Sequence, residues 1–323
     1  MEKYTASMEN HEGLRIAVLR CDGDAGESME AWIAPDFGAN LCRFIVDGMN
    51  VIDSDFSVLT EGGYTGTPVL YPTPNRVRNG RFRYDGRLFR QTKNGREVHE
   101  HGLVHDEPWR FDPPVAGADH AQFDAWVDFT PGSGIYASFP FDHRLALRFT
   151  VDRSGVSIEY RIESRCGEEI PFGFGLHPYF TKLSGDEGTF VSLPAQAVMD
   201  YTSDLLPTGR LIDVKGTLYD LGEPTPVGKL DLDHVFTSIP EGRHATASYR
   251  TRQIGVTLEN TADFTHLVLY TPSGEPYFCI ENQTCSTDAH NLYDSGFKTE
   301  SGLKTVPARA KTEGRVKYAV SRG

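Results

Sequence analysis

The chain has 323 residues, of which 39% are hydrophobic and 24% are charged, and its formal net charge at pH 7 is −13. This composition is typical of a globular chain with a large core, and the negative charge argues against nucleic acid or an anionic membrane as the main partner. No apolar run approaches the ~18 residues of a membrane span. The N-terminus lacks the basic-then-apolar pattern of a secretory signal, so we expect a cytoplasmic protein.

Alternation of apolar and polar residues dominates the chain. Over residues 145–151 every second position is a large apolar residue, and after a turn at 153–155 the alternation resumes over 156–163. This pattern predicts a hairpin with one buried and one solvated face. In chain order, similar short strands are predicted at about 14–20, 29–35, 40–46, 87–92, 122–129, 246–251, 255–260, 266–271 and 276–281.

The segments between these strands are rich in turn residues, because the chain has 32 glycines and 19 prolines. We find no amphipathic helix longer than two or three turns, no low-complexity linker and no sustained repeat. The sequence therefore predicts an all-β fold, a large antiparallel β-sandwich with few short helices, in one domain over residues 1–323.

The five cysteines are far apart, and no pair has the two-residue spacing of a zinc knuckle or a redox motif. We expect reduced, mostly buried thiols, as is usual in a cytoplasm. They are Cys21, Cys42, Cys166, Cys279 and Cys285.

A proline-rich segment, residues 67–82, is the first candidate for a functional site. Three prolines at 68, 72 and 74 stiffen an extended loop that ends in Asn75-Arg76. Such a loop can present a guanidinium group to hydroxyl or phosphate oxygens. The alternative is a surface loop with solvated arginines. We favour a functional role for Arg76 and leave Arg78 and Arg81 open.

A histidine cluster at residues 98–109 allows three interpretations. His99 and His101 alternate along the chain, so with Glu107 they could form a metal site. His101 is followed by Gly102, which has no side chain to block the close approach of a ligand, so it could instead serve in acid–base chemistry or substrate binding. The third possibility is that these histidines are only solvated surface residues.

His177 lies in the segment Gly173-Phe174-Gly175-Leu176-His177-Pro178-Tyr179-Phe180. Apolar residues, a proline and two aromatics surround this one imidazole, which suggests that it is fixed in a pocket where it can exchange protons with a substrate. The alternative is a core histidine that is satisfied by backbone hydrogen bonds.

Two carboxylates complete the set of candidates. Glu281 ends the apolar strand Phe278-Cys279-Ile280, where desolvation would raise its pKa and its basicity, and the polar run after it looks like a pocket rim. Asp233 lies between apolar residues and could point inward, but the pattern alone slightly favours an exposed acid.

Taken in order, these segments resemble the aldose 1-epimerase (mutarotase) family. The similarity covers about residues 30–292 and depends on an ordered set of short motifs rather than on one long motif. These are Gly38-Ala39-Asn40-Leu41, Pro74-Asn75-Arg76, Gly80-Arg81-Phe82, His101-Gly102 with Pro108-Trp109, His177-Pro178-Tyr179-Phe180, Leu206-Pro207-Thr208-Gly209, Leu232-Asp233-His234-Val235-Phe236, Cys279-Ile280-Glu281 and Asp288-Ala289-His290-Asn291.

The resemblance implies a galactose mutarotase-like supersandwich that binds a small sugar in a cleft of one sheet, as a monomer or homodimer. It also implies exchange of α- and β-anomers without cofactor or metal. Carried over by position, Glu281 would be the general base and His177 the general acid, and His101 would hold the ring oxygen. The residues expected to bind the sugar hydroxyls are Arg76, Asp233 and Asn75.

Two departures from the family pattern leave the substrate open. Asn282 follows Glu281 where the family commonly has proline, and Leu103 follows His101-Gly102 where the galactose-preferring branch has a second glycine. The latter segment looks more like a bacterial branch in which some members act on hexose 6-phosphates. An aldohexose 1-epimerase, a hexose-6-phosphate 1-epimerase, a non-catalytic carbohydrate-binding protein and a metal-dependent enzyme built on His99, His101 and Glu107 therefore remain in competition.

Overall fold

Antiparallel strands dominate the computed structural model, which describes residues 3–23 and 26–323. In chain order the strands are β1 (Lys3–His11), β2 (Leu14–Asp22), β3 (Ser28–Ala34), β4 (Asn40–Val46), β5 (Met49–Ile52), β6 (Val69–Leu70), β7 (Arg81–Tyr84), β8 (Arg87–Arg90), β9 (Thr92–Lys93), β10 (Arg96–Glu97), β11 (Arg110–Phe111), β12 (Val115–Ala116), β13 (Ala121–Phe129), β14 (His143–Asp152), β15 (Gly155–Ser164), β16 (Ile170–Phe172), β17 (Gly175–Leu176), β18 (Tyr179–Thr181), β19 (Thr189–Ser192), β20 (Ala197–Tyr201), β21 (Pro207–Asp213), β22 (Thr225–Pro226), β23 (Asp233–Thr237), β24 (Ala245–Tyr249), β25 (Ile254–Asn260), β26 (His266–Tyr270), β27 (Tyr277–Gln283), β28 (Lys304–Val306) and β29 (Lys311–Arg322).

The helices are short: α1 (Phe56–Thr60), α2 (Gly185–Gly188), α3 (Ala289–Asp294) and α4 (Lys298–Ser301), with 3-10 turns at Arg78–Gly80 and Val227–Lys229. The longest described helix, α3, has 6 residues. This agrees with the absence of any extended amphipathic pattern in the sequence.

Two large sheets contain most of the described strands. The first has 13 strands and runs β1-β2-β3-β4-β5-β18-β27-β26-β23-β20-β21, with β17 pairing to β27 and β6. The second has 10 strands and runs β11-β13-β14-β15-β29-β25-β24-β19-β22, with β12 pairing to β13. Three two-stranded sheets, β7-β8, β9-β10 and β16-β28, complete the fold.

The core lies between the two large sheets and is built largely from aromatic rings. Phe180 of the first sheet packs against Tyr318 of the second at 5.6 Å between ring centroids, and Phe174 stacks on Tyr160 at 4.4 Å. All four side chains are at most 1% exposed. Burying each such side chain contributes roughly 1.5–3 kcal/mol, so this layer is a principal source of the stability of the sandwich.

The structure confirms the predicted all-β sandwich and, element by element, the predicted strands. The predicted hairpin is β14 and β15, with Asp152 opposite Gly155 at the turn. Several strands were not predicted, and the longest of them are β1 and the 12-residue strand β29. Strand β29 nevertheless alternates as a strand should, since Val316 and Tyr318 face the core. The single-domain assignment stays a prediction.

Candidate active site

His177 and Glu281 are brought together by the register of strands in the first sheet. Gly175 and Leu176 of β17 lie opposite Gln283 and Asn282 of β27, and Tyr179 of β18 lies opposite Cys279 of the same strand. The paired residues before and after His177 follow the same strand register. This register places His177 opposite Glu281. Because side chains directly opposite each other share one face of a sheet, the imidazole and the carboxylate meet.

The two groups are in contact and almost completely buried. His177 Nε2 lies 3.2 Å from Glu281 Oε1, and the residues are 6% and 2% exposed. Burial lowers the pKa of His177 to about 4 and raises the pKa of Glu281 well above its usual value. Both shifts have one cause, because a buried site disfavours the charged form of either group. His177 Nδ1 has no protein partner.

Gln283 holds the other oxygen of the carboxylate, a contact that sequence reasoning missed. Its Nε2 donates to Glu281 Oε2 at 2.9 Å, and this hydrogen bond counteracts part of the rise in the Glu281 pKa. Gly175 leaves room for it, since a Cβ at Gly175 would lie 3.0 Å from Gln283 Cγ. The available signal was the spacing of two residues, which places Glu281 and Gln283 on one face of a strand.

His101 lies beside the pair, at the bend that follows β10. Its ring meets the His177 ring edge-on at 5.2 Å between centroids, and burial lowers its pKa well below the usual value. Its backbone N–H donates to the Asn75 carbonyl at 2.9 Å, and its Nδ1 has no protein partner. The role suggested for Gly102 was wrong in one respect: the space it leaves is taken by the chain itself, since a Cβ there would lie 2.2 Å from the Tyr71 carbonyl oxygen.

Arg76, Asp233 and Asn75 form a second polar cluster next to the pair. Arg76 Nη2 donates to Asp233 Oδ2 at 3.2 Å, and both side chains are half-buried. Asn75 Oδ1 accepts from the Arg76 backbone N–H at 2.7 Å and from Arg76 Nη1 at 3.3 Å, so Asn75 orients the guanidinium group. The charges of Asp233 and Arg76 both influence the pKa of Glu281, which places this cluster within electrostatic reach of the carboxylate.

The residues considered for a metal site are not brought together. The His99 side chain is 56% exposed and lies 3.7 Å from Glu97, whereas Glu107 pairs with Lys93 at 2.8 Å. Across residues 3–23 and 26–323, no group of three or more His, Cys, Asp or Glu side chains has an arrangement suited to a metal ion. The arrangement of these residues thus gives the metal hypothesis no support.

The polar run after Glu281 is not a pocket rim, contrary to the sequence interpretation. Every residue from 282 to 290 is buried. Two of its side chains satisfy neighbouring backbone: Thr284 Oγ1 accepts from the Phe174 N–H at 2.9 Å, and Asp288 Oδ1 accepts from the Arg78 N–H at 3.0 Å. It supports the loop that carries Arg76, since the Asp288 N–H donates to the Arg76 carbonyl at 2.9 Å.

Arg78 and Arg81 have different surroundings. The Arg78 side chain is 47% exposed, with its Nε 3.7 Å from Asp288 Oδ2. Arg81 pairs with Glu97 at 3.2 Å on the small β7–β10 hairpins, and both of these side chains are exposed.

The arrangement can move protons at one end and hold hydroxyl groups at the other. A buried imidazole and carboxylate in contact can share or exchange a proton, and a guanidinium–carboxylate pair has spare donors and acceptors for hydroxyl groups.

A family model described as aldose 1-epimerase matches residues 24–319. The chain belongs to the aldose 1-epimerase family.

Similar proteins share this fold at low sequence identity. A galactose mutarotase-like protein from Clostridium acetobutylicum superposes with a TM-score of 0.85 at 20% identity, covering 100% of this chain and 99% of that one. The uncharacterized protein YihR of Escherichia coli (strain K12) is 24% identical over 242 residues, 72% of this chain and 74% of that protein. Galactose mutarotase of Rattus norvegicus is 24% identical over 246 residues, 65% of this chain and 67% of that protein.

Two further expectations concern the whole chain. Among the described residues, which include all five cysteines, no disulfide is formed, and four of the cysteines are buried. In the part of the chain that the structure describes, no helix has the length and apolar character needed to cross a membrane.

Proposed function

We propose that this protein is an aldose 1-epimerase that interconverts the α- and β-anomers of an aldohexose by acid–base opening and reclosure of the ring. The observation that carries the proposal is the buried contact of 3.2 Å between His177 Nε2 and Glu281 Oε1. A proton donor and a proton acceptor that meet on one face of a sheet are what a hemiacetal needs, because its two reacting oxygens are bonded to the same carbon.

In the proposed reaction Glu281 takes the proton of the anomeric hydroxyl while His177 gives a proton to the ring oxygen. The electron pair of the O1–H bond forms the C1=O1 double bond, and the C1–O5 bond breaks to leave an open-chain aldehyde with a hydroxyl at C5. Rotation about C1–C2 then presents either face of the aldehyde to O5. When the ring recloses, the C5 hydroxyl returns its proton to His177 and the aldehyde oxygen takes a proton from Glu281. Both side chains are then in their starting protonation states.

This cycle needs a His177–Glu281 pair that holds one proton in total. The opposite pKa shifts of the two groups favour that state, since the buried imidazole resists a second proton and the buried carboxyl resists losing the last one. Each proton transfer can contribute about 10²–10⁴-fold to the rate.

The neighbouring residues have binding roles in this proposal. His101 would hydrogen-bond the ring oxygen or an adjacent hydroxyl of the sugar, since its ring lies edge-on to that of His177. Arg76 and Asp233 would bind hydroxyl groups of the sugar, with Asn75 acting on the sugar through Arg76. Hydrogen bonds to charged groups contribute roughly 1.5–3 kcal/mol each, so this cluster would account for much of the affinity.

The test is the rate at which freshly dissolved α-glucose or α-galactose reaches anomeric equilibrium, followed by NMR of the anomeric proton. Glu281→Gln keeps the shape of the side chain but removes the base, so we expect a loss of at least about 10²-fold in kcat/KM. Glu159→Gln, an exposed position on β15 of the other sheet, is the matched control and is expected to behave as wild type.

Three outcomes separate the competing functions. If no sugar equilibrates faster than in buffer, the enzymatic proposal fails. If wild type binds sugar and Glu281→Gln changes neither binding nor rate, a non-catalytic carbohydrate-binding protein replaces it. Glucose 6-phosphate is a further arm, since the exposed Arg78 follows Arg76 by two residues. A strong preference for that compound, lost in Arg78→Met, would assign a hexose-6-phosphate 1-epimerase instead.

A further inference from the structure

The outer face of the second large sheet carries charged side chains in a regular pattern. In β13, β14, β15 and β29, residues that face the core alternate with residues that point away from it. The strand register sorts the outward residues into three rows of four, here called the charged face. The rows are Asp124, Arg148, Glu159 and Arg315; Trp126, Ala146, Arg161 and Glu313; and Asp128, Arg144, Glu163 and Lys311.

The charges of this face alternate from strand to strand. In the first and third rows the order from β13 to β29 is acid, base, acid, base. Within one molecule the arginines of β14 pair with β13, at 2.8 Å between Arg148 and Asp124 and at 3.0 Å between Arg144 and Asp128. The described residues supply no ion-pair partner to three other members of the face, which are Glu159, Glu163 and Arg315.

The charged face is electrically balanced, although the chain as a whole is acidic. Its twelve residues include five acidic and five basic side chains, whereas the formal net charge of the chain is −13. Two acidic molecules repel each other less when they approach through a balanced face than through an acidic one. A second copy of this chain can therefore approach here.

A second copy matches the pattern under a two-fold axis that runs along the strands, midway between β14 and β15 and in the plane of contact. This axis places β14 of each copy on β15 of the other, and β13 on β29. Each row then meets itself in reverse order, so acid lies on base throughout the first and third rows. An axis across the strands would place β14 on β14, with arginine on arginine, and repulsion disfavours it.

The facing side chains also suit each other in size. In the middle row the long side chain of Arg161 meets the small side chain of Ala146, where a groove of about 520 Å³ crosses the face. Each side chain that lacks an ion pair in one molecule gains a partner of opposite charge from the other. The pairs formed between the two copies are Arg148 with Glu159, Arg144 with Glu163, and Arg315 with Asp124.

The charged face is large enough for a weak dimer. Its four strands have 9 to 12 residues. With strands about 4.8 Å apart and a rise of about 3.4 Å per residue, they present roughly 600 Å². Two copies would bury about 1,200 Å² in total, the lower limit of a standard specific interface. Because the contacts are charged, we expect association in the micromolar range that weakens as salt is added.

We propose that this protein forms a two-fold symmetric dimer through the charged face of its second sheet. The two sheets stack nearly aligned and about 10 Å apart, a distance that an arginine and a glutamate side chain span together. The His177–Glu281 pair is not covered, because it lies on the side of the first sheet opposite to Phe278 and Phe180, which face the core. The dimer is therefore independent of the proposed reaction.

The experiment is a charge exchange followed by sedimentation velocity at about 1–100 µM protein in about 0.1 M NaCl. In Arg148→Glu and in Glu159→Arg, like charges face each other at both symmetric positions, so each variant alone should dimerise at least about 10-fold more weakly than wild type. An equimolar mixture of the two should regain the wild-type affinity within about threefold, because the mixed dimer pairs opposite charges at both positions. Arg210→Glu is the matched control, since exposed Arg210 pairs with Asp200 at 2.9 Å on the first sheet.

Each outcome decides the proposal. Weak dimers of the single variants and a restored dimer in the mixture would support both the face and its register. A wild type that is still monomeric at about 100 µM would overturn the proposal and leave the face to a different partner. A dimer that both variants leave unchanged, or that the mixture does not restore, would also overturn it. If either variant is unfolded by circular dichroism, Arg144→Glu and Glu163→Arg replace the pair, since these positions also face each other.

Discussion

His143 and His177 are two buried histidines in different regions, and they differ in hydrogen bonding rather than in burial. Burial lowers the pKa of each to about 4. His143 begins β14 inside the core, where the Tyr71 hydroxyl donates to its Nε2 at 2.7 Å and its Nδ1 donates to the Phe141 carbonyl at 2.7 Å. Its ring also stacks on Phe129 at 4.3 Å, so every group of this imidazole is used by the fold.

His177 has no such set of partners. Its Nε2 contacts the carboxylate of Glu281, a residue whose own charged form is disfavoured, and its Nδ1 has no protein partner. An unsatisfied buried polar atom costs about 1–3 kcal/mol, so folding alone does not account for this arrangement. The contrast teaches that hydrogen bonding, rather than burial or pKa, distinguishes these two histidines.

The largest expected effects test this contrast directly. Substitution of His177 should affect activity, and substitution of His143 should affect stability. His177→Asn should lower kcat/KM by about 10²–10⁴-fold, because the acid is lost, with little change in the melting temperature. His143→Leu should leave kcat close to that of wild type but reduce the free energy of unfolding by about 1–3 kcal/mol, since the Tyr71 hydroxyl is then buried without a partner. Steady-state kinetics and thermal unfolding of both variants check that one loses activity and the other loses stability. Equal loss of activity in both would contradict it.

The next effect concerns the sugar-binding cluster. Arg76→Met should reduce kcat/KM by roughly 10- to 100-fold, mainly through KM, because a charged donor to the sugar and to Asp233 is removed. Arg81→Met is the control, since the exposed Arg81–Glu97 pair should contribute little and leave the kinetics within about twofold of wild type. A fall in kcat with KM unchanged would show that Arg76 acts on the reaction rather than on binding.

A smaller effect is expected at the residue that positions the carboxylate. Gln283→Met removes the donor to Glu281 Oε2, which raises the pKa of Glu281 further and leaves less ionised base within the singly protonated pair. We expect kcat to fall about 10-fold, the equivalent of one lost hydrogen bond, and the alkaline limb of the pH profile to move to higher pH. Gln91→Met is a matched control, since Gln91 is also fully buried and its side chain donates to Thr73 Oγ1 rather than to Glu281. If the alkaline limb of the pH profile does not move, Gln283 only packs against its neighbours and does not lower the pKa of Glu281.

The smallest effect is the pH dependence of the wild type itself. An ordinary histidine with a pKa near 6.5 would change its charge between pH 7 and 5. The pKa of His177 is about 4, so the pair takes up no second proton over this interval and kcat/KM should fall by less than about twofold. A tenfold fall between pH 7 and 5, in protein that is still folded by circular dichroism, would contradict the assignment.

Folding must be checked in that experiment because the same depressed pKa values reduce stability in acid. His143, His177, His266 and His290 all have a pKa of about 4 in the folded protein. As the pH falls from 6.5 towards 4, the unfolded chain binds protons that the buried imidazoles do not bind, so the free energy of unfolding decreases. Above pH 6.5 these histidines impose no such penalty.

Much of the fold and part of the site could be predicted from local patterns. The alternation over 145–163 gave the β14–β15 hairpin correctly, and the framed histidine and the strand-ending carboxylate pointed to the pair that the structure brings into contact. The same local view misread residues 282–290 as a rim, because polar side chains that satisfy neighbouring backbone look like solvated ones in a sequence. It also missed Gln283, whose only signal is that it follows Glu281 by two residues.

The sequence by itself determined the strands and the faces they present, because a period of two residues is a local property of the backbone and its side chains. Only the tertiary structure decided that His177 lies opposite Glu281, more than a hundred residues away, while His143 is enclosed by Tyr71 and Phe141. The reason is that strand register and hydrogen-bond satisfaction depend on partners far along the chain. A one-residue shift in register would turn Glu281 to the opposite face of its sheet and separate it from the imidazole.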